Sequence, residues 1–93
     1  MKSEYDIIME LQEEYPDTTF FVNPGYISAL VGISDSDKAV YDMEKMIEYL
    51  IQQDDMTYEE AVEWIDYNTL RAIPYADNPP VVITQNIDLS EYQ

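Results

Sequence analysis

Cysteine and histidine are both missing from this 93-residue chain. Without cysteine there is no disulfide scaffold, no thiolate metal site and no cysteine nucleophile. Without histidine the commonest general base, the commonest metal ligand and the usual switch near neutral pH are gone. Cations are scarce: Lys2, Lys38, Lys45 and Arg71 face 20 acids, for a net charge of −16. Glycine is nearly absent too, with Gly25 and Gly32 alone, so the chain has neither a phosphate-cradling loop nor a nucleophile elbow. No apolar run approaches the roughly 20 residues that cross a bilayer. Met1-Lys2-Ser3-Glu4 lacks the basic-then-apolar pattern of a signal peptide. A soluble, intracellular protein is the expectation.

What is present argues for a folded chain. Hydrophobic residues make up 46% of the sequence and aromatics 13%, nine of them tyrosine, whereas disordered acidic tails are poor in both. The length suits one domain, 1–93, burying somewhat over ~60% of its unfolded surface.

The patterning predicts an α+β domain in the order α-β-β-β-α-α-β, with a small antiparallel sheet of three to four strands against three helices. Ser3 and Asp6 form a loose capping box for a first helix with Ile7, Ile8, Leu11 and Tyr15 inward, stopped by Pro16. The β-branched and aromatic run 18–22 reads as a strand. Asn23-Pro24-Gly25 reads as a turn in which Gly25 takes positive φ. Residues 26–33 and 38–41 read as two further strands, hairpin-connected through Ser34-Asp35-Ser36-Asp37. Asp42 caps a second helix to about Gln53, its inner stripe Met43, Met46, Ile47, Leu50 and Ile51. Thr57 and Glu60 form a capping box for a third helix, its inner face Tyr58, Ala61, Val62, Ile65, Asn68 and Ala72, with Arg71 near the dipole's negative end and Pro74 closing it. Residues 81–84 read as a last short strand and 87–93 as a frayed acidic end.

No motif points to catalysis, a metal or a cofactor. Asp35-x-Asp37 resembles the start of a calcium loop, but the fifth, sixth and twelfth positions hold Ala39, Val40 and Met46 where ligand, glycine and glutamate are required. A solvated turn explains the two aspartates. With 20 acids, two carboxylates lying close together carry almost no information about acid–base chemistry.

The acids themselves are the informative feature. A small soluble domain ordinarily carries a net charge of roughly 2–8 in magnitude, and an excess destabilises the compact state by self-repulsion. It also disfavours direct binding to nucleic acid or an anionic membrane and favours fast, salt-sensitive association with a basic surface. Asp54, Asp55, Glu59, Glu60, Glu63 and Asp66 form the densest cluster, on and before the third helix, and Trp64 and Tyr67 fall off its aliphatic stripe. Glu10, Glu13, Glu14 and Asp17 make a second patch. Helical neighbours three or four apart lie about 5–6 Å from each other, a scale close to phosphate spacing on a nucleic-acid strand. A row of carboxylates can imitate such a backbone. The same row also serves as a solubilising surface.

The segments 41–46, 56–61 and 67–75 (Tyr-Asp-Met-Glu-Lys-Met, Met-Thr-Tyr-Glu-Glu-Ala and Tyr-Asn-Thr-Leu-Arg-Ala-Ile-Pro-Tyr) give the chain a resemblance to small acidic proteins encoded by phages and prophages of gut Firmicutes. That resemblance covers most of the chain and brings no catalytic residues. It implies a mobile-element setting in the host bacterial cytoplasm, where small acidic phage proteins include anti-CRISPR and other anti-defence inhibitors, some of them nucleic-acid mimics.

The favoured reading is therefore a non-enzymatic interaction protein. Its partner would be a basic, nucleic-acid-binding host defence protein such as a CRISPR effector, bound through Asp54, Asp55, Glu59, Glu60, Glu63, Trp64, Asp66 and Tyr67. The alternatives are a phage accessory module that self-associates through apolar contacts, and a carboxylate enzyme with a deep pocket holding two acids of raised pKa.

Overall fold

The computed structural model describes residues 2–22 and 24–84. Asn23 of the expected turn and the acidic 87–93 segment lie outside the described residues. The elements are α1 (Glu4–Glu14), β1 (Leu30–Ile33), β2 (Ala39–Asp42), α2 (Met43–Asp54), α3 (Tyr58–Trp64) and β3 (Val81–Ile83). A 3-10 turn (Ile27–Ala29) precedes β1, and a π turn (Ile65–Thr69) and a 3-10 stretch (Leu70–Tyr75) follow α3. The class is α+β, as the patterning predicts.

Every helix start follows its cap. The Ser3 side chain accepts from Asp6 N while Asp6 accepts from Ser3 N, and Thr57 and Glu60 do the same for α3. Asp42 Oδ1 accepts from Lys45 N at 3.2 Å at the start of α2.

The sheet is mixed rather than antiparallel, in the order β1-β2-β3. β1 and β2 form the expected hairpin, Leu30 opposite Tyr41 and Ile33 opposite Ala39, with an irregularity between Leu30 and Gly32 that leaves Val31 facing solvent. β3 runs parallel to β2, Val40 beside Val81 and Asp42 beside Ile83. Parallel neighbours require a long crossover. The two helices and the irregular segment between Asp42 and Val81 supply it.

The expected strand at 18–22 does not form. Its polar groups bond to side chains and to scattered backbone carbonyls instead of a ladder. Gln12 Nε2 donates to Thr18 O at 2.9 Å, Phe21 N donates to Tyr41 Oη at 3.0 Å, Thr18 Oγ1 donates to Asp37 O at 2.7 Å, and Thr19 Oγ1 donates to Asp77 O. Residues 26–29, expected to continue a strand, turn instead. Tyr26 takes φ 50° and the 3-10 turn follows. The positive φ thus falls on Tyr26, not Gly25. Gly25 is instead closely packed: a Cβ there would crowd Ile8 Cδ1, the movable end of a core side chain.

The core is Ile8, Phe20, Tyr26, Ala29, Ala39, Tyr41, Met46, Ile47, Leu50, Ala61 and Ile65. Each large side chain fully buried there contributes roughly 1.5–3 kcal/mol. Phe21 packs edge-on to Tyr26 (centroids 5.8 Å) and tilted against Tyr41 (4.6 Å), so two tyrosines complete the core as aromatic bodies. No described helix is long and apolar enough to cross a membrane.

Candidate functional site

α3 begins as the sequence predicts and then departs from α-helical periodicity. The π turn carries an i→i−5 bond from Leu70 N to Ile65 O. It moves the following residues round the axis, so Thr69, not Asn68, takes the inward place, where its Oγ1 lies 3.1 Å from Tyr26 Oη. Asn68 and Ala72 are exposed, and Asn68 Nδ2 donates back to Trp64 O at 3.1 Å. Tyr58, assigned to the inner face, is also exposed; its hydroxyl donates to Glu44 Oε1 at 2.9 Å, and this hydrogen bond raises the phenol's pKa ahead of desolvation and the Glu44 charge. Arg71 does not serve a helix end, because α3 stops at Trp64. Its guanidinium lies over the Tyr67 ring, 4.3 Å from the centroid. Pro74 sits inside the 3-10 stretch, which ends at Tyr75.

Around Trp64 the structure brings several of the sequence-selected residues together. Trp64 is half-buried against the core and walls two shallow cavities. Met56, Glu60, Glu63 and Tyr67 complete one of about 350 Å³, and Pro24, Tyr49, Gln53 and Asp54 complete the other. Glu59 and Glu63, with Tyr58 and Val62, line a third depression. Asp55 and Asp66 are exposed beside this surface and line none of the three; Asp55 takes φ 52° as the residue that ends α2. Glu10, Glu13, Glu14 and Asp17 are all exposed on and after α1, apart from the Trp64 cavities.

The negative charge is little neutralised. Among the described residues a single ion pair forms, Lys2 with Glu10, at the α1 patch. Lys38 Nζ donates to the neutral Asn78 Oδ1 at 3.0 Å, and Arg71 is engaged on Tyr67. The Thr57 backbone N–H, donating to Glu60 Oε1 at 2.9 Å, holds the Glu60 carboxyl below the usual carboxylate range.

Tyr49, Gln53, Met56 and Pro24 are site-lining residues that the sequence reading did not select. No periodic signal marks them, because they meet Trp64 from α2, from the α2–α3 connection and from the loop before Tyr26. Asp35 and Asp37 sit in a solvated turn: Asp37 N donates to Ser34 O at 3.0 Å, and Ser34 Oγ accepts from Ser36 N and Lys38 N. Among the described residues no three carboxylates converge on a point where a cation would sit. No protein-family model, curated protein or solved structure matches this chain.

Proposed function

We propose that this is a non-enzymatic acidic interaction protein, a phage-encoded inhibitor of the anti-CRISPR kind that places the α3 surface in a basic nucleic-acid groove of a host defence protein. The observation that carries the reading is the surface around Trp64. Among the described residues, the exposed carboxylates at Asp54, Glu59, Glu60 and Glu63 have no cationic partner, and they frame aromatic and thioether surface. Unrelieved like charge costs stability, and a cationic groove removes that cost on binding. Aromatic side chains beside the charge supply the desolvated contact that interfaces favour. The downward shift of Glu60 keeps it charged, the opposite of what a general acid at neutral pH needs.

The test is capture of partners on the immobilised protein from bacterial lysate, with elution by rising salt and by added nucleic acid. The reading requires a nucleic-acid-binding protein released by both. Retention indifferent to both contradicts it.

Tyr5 (66% exposed) and Met9 (45%), one turn apart on α1, favour a second reading as a self-associating accessory module. Sedimentation at low and high salt separates the two, since apolar self-association persists at high salt.

A further inference from the structure

Trp64 is the single tryptophan of the chain, and it lines two cavities. One offers Tyr67 with Glu60 and Glu63; the other offers Tyr49 with Asp54. Each therefore joins aromatic surface to a carboxylate at an open rim. An ammonium is a compact, strongly hydrated charge and gains little from such walls. A guanidinium is flat and weakly hydrated, stacks on aromatic faces, and still directs N–H groups outward to carboxylates. The chain already makes this contact within itself, with Arg71 over Tyr67. Glu60 is also preset: Oε1 is fixed on Thr57 N.

We infer that the two cavities lined by Trp64 receive arginine side chains of the partner, one guanidinium in each, met by Glu63 in one and Asp54 in the other. The inference rests on the reading of α3 as a surface for a basic partner, and it turns general attraction for positive charge into selection for arginine. A groove built from lysine is a poorer fit than one built from arginine.

Trp64 emission gives a direct readout. The intact protein is titrated at low salt with hexa-arginine, hexalysine and hexacitrulline peptides, following fluorescence and binding heat. Hexa-arginine is expected to shift the emission saturably and to bind about threefold to fivefold more tightly than hexalysine, with hexacitrulline silent. Glu63→Gln and Asp54→Asn are each expected to weaken hexa-arginine binding by about threefold, and the two losses multiply in the double variant. Asp35→Asn, in the solvated β1–β2 turn, is the control and leaves binding unchanged. Both carboxyls are exposed, so these variants keep the fold. Equal affinity for arginine and lysine peptides, or indifference to Glu63→Gln and Asp54→Asn, overturns the inference and leaves the acidic-surface reading standing. No binding heat with either basic peptide overturns both.

Discussion

Tyr49 and Glu4 meet through one hydrogen bond, the phenol donating to Oε2 at 2.9 Å, while Glu4 Oε1 accepts from Ile27 N at 3.0 Å. A single half-buried carboxylate thus ties α1 to α2 and to the turn before β1. Because Tyr49 also walls one of the Trp64 cavities, the same phenol links the molecule's packing to its candidate surface. Tyr49→Phe removes the donor and leaves Glu4 one partner short. The expected loss is about 1–2 kcal/mol in urea unfolding, with the slope unchanged.

Alkaline pH probes the same contact. Desolvation first, then the hydrogen bond to Glu4 and the charges of Glu4 and Asp54, push the Tyr49 phenol up to about 12. Burial likewise pushes Tyr41 up to about 12, against the lowering effect of its bond from Phe21 N. Between the ordinary value of 10.0 and about 12, the unfolded chain has lost these protons and the folded chain keeps them. Stability is therefore fully present below pH 10 and falls as pH rises toward 12. Urea midpoints measured across that window should decline steeply, and less steeply in Tyr49→Phe. A flat profile contradicts the assignment.

Gly25 is a matter of space. A methyl group there meets Ile8 Cδ1 at 2.4 Å and Glu4 Cδ at 3.1 Å. Gly25→Ala is expected to cost about 1–3 kcal/mol by overpacking. Shortening the neighbour in Gly25→Ala/Ile8→Val should recover part of that cost, giving a favourable coupling energy in a double-mutant cycle.

Helix starts, the two-helix run and the β1–β2 hairpin were legible in the sequence because Ser3, Asp42 and Thr57 act locally, each on a backbone N–H three residues ahead. The strand expected at 18–22 was not, because β-branched composition says that a segment is extended but not what it pairs with. There the partners are Gln12, Tyr41 and Asp37, supplied from elsewhere in the chain. The direction of β3 was hidden for the same reason. At the candidate site, Glu60 and Glu63 were legible as part of the dense acidic cluster, and Trp64 and Tyr67 from falling off the aliphatic stripe. The π turn, which puts Thr69 inward and Asn68 outward, has no signature in hydrophobic periodicity. Tyr49 and Pro24 join the site through tertiary packing alone.

Asn78 holds three segments that sequence reading treats as separate loops. Its Nδ2 donates to Asp17 O and Asp37 O, each at 2.9 Å, and its Oδ1 accepts from Lys38 Nζ. It also takes φ 47°. Asn78→Gly tolerates that backbone and loses only the side-chain bonds, about 1–2 kcal/mol. Asn78→Ala adds the left-handed penalty and should be about 1 kcal/mol worse. Thermal or urea unfolding of the two variants separates bonding from backbone strain, and equal losses would remove the strain component.

On the proposed function, the α3 surface competes with nucleic acid for a basic groove. The most direct measurement is displacement of labelled nucleic acid from a CRISPR effector nuclease by this protein, at two salt concentrations, alongside the Glu59→Lys/Glu63→Lys variant. Displacement that weakens steeply from low to moderate salt, and weakens by at least about tenfold in the variant, is the predicted result. Failure to displace at low salt, or displacement that the charge reversal leaves untouched, contradicts it.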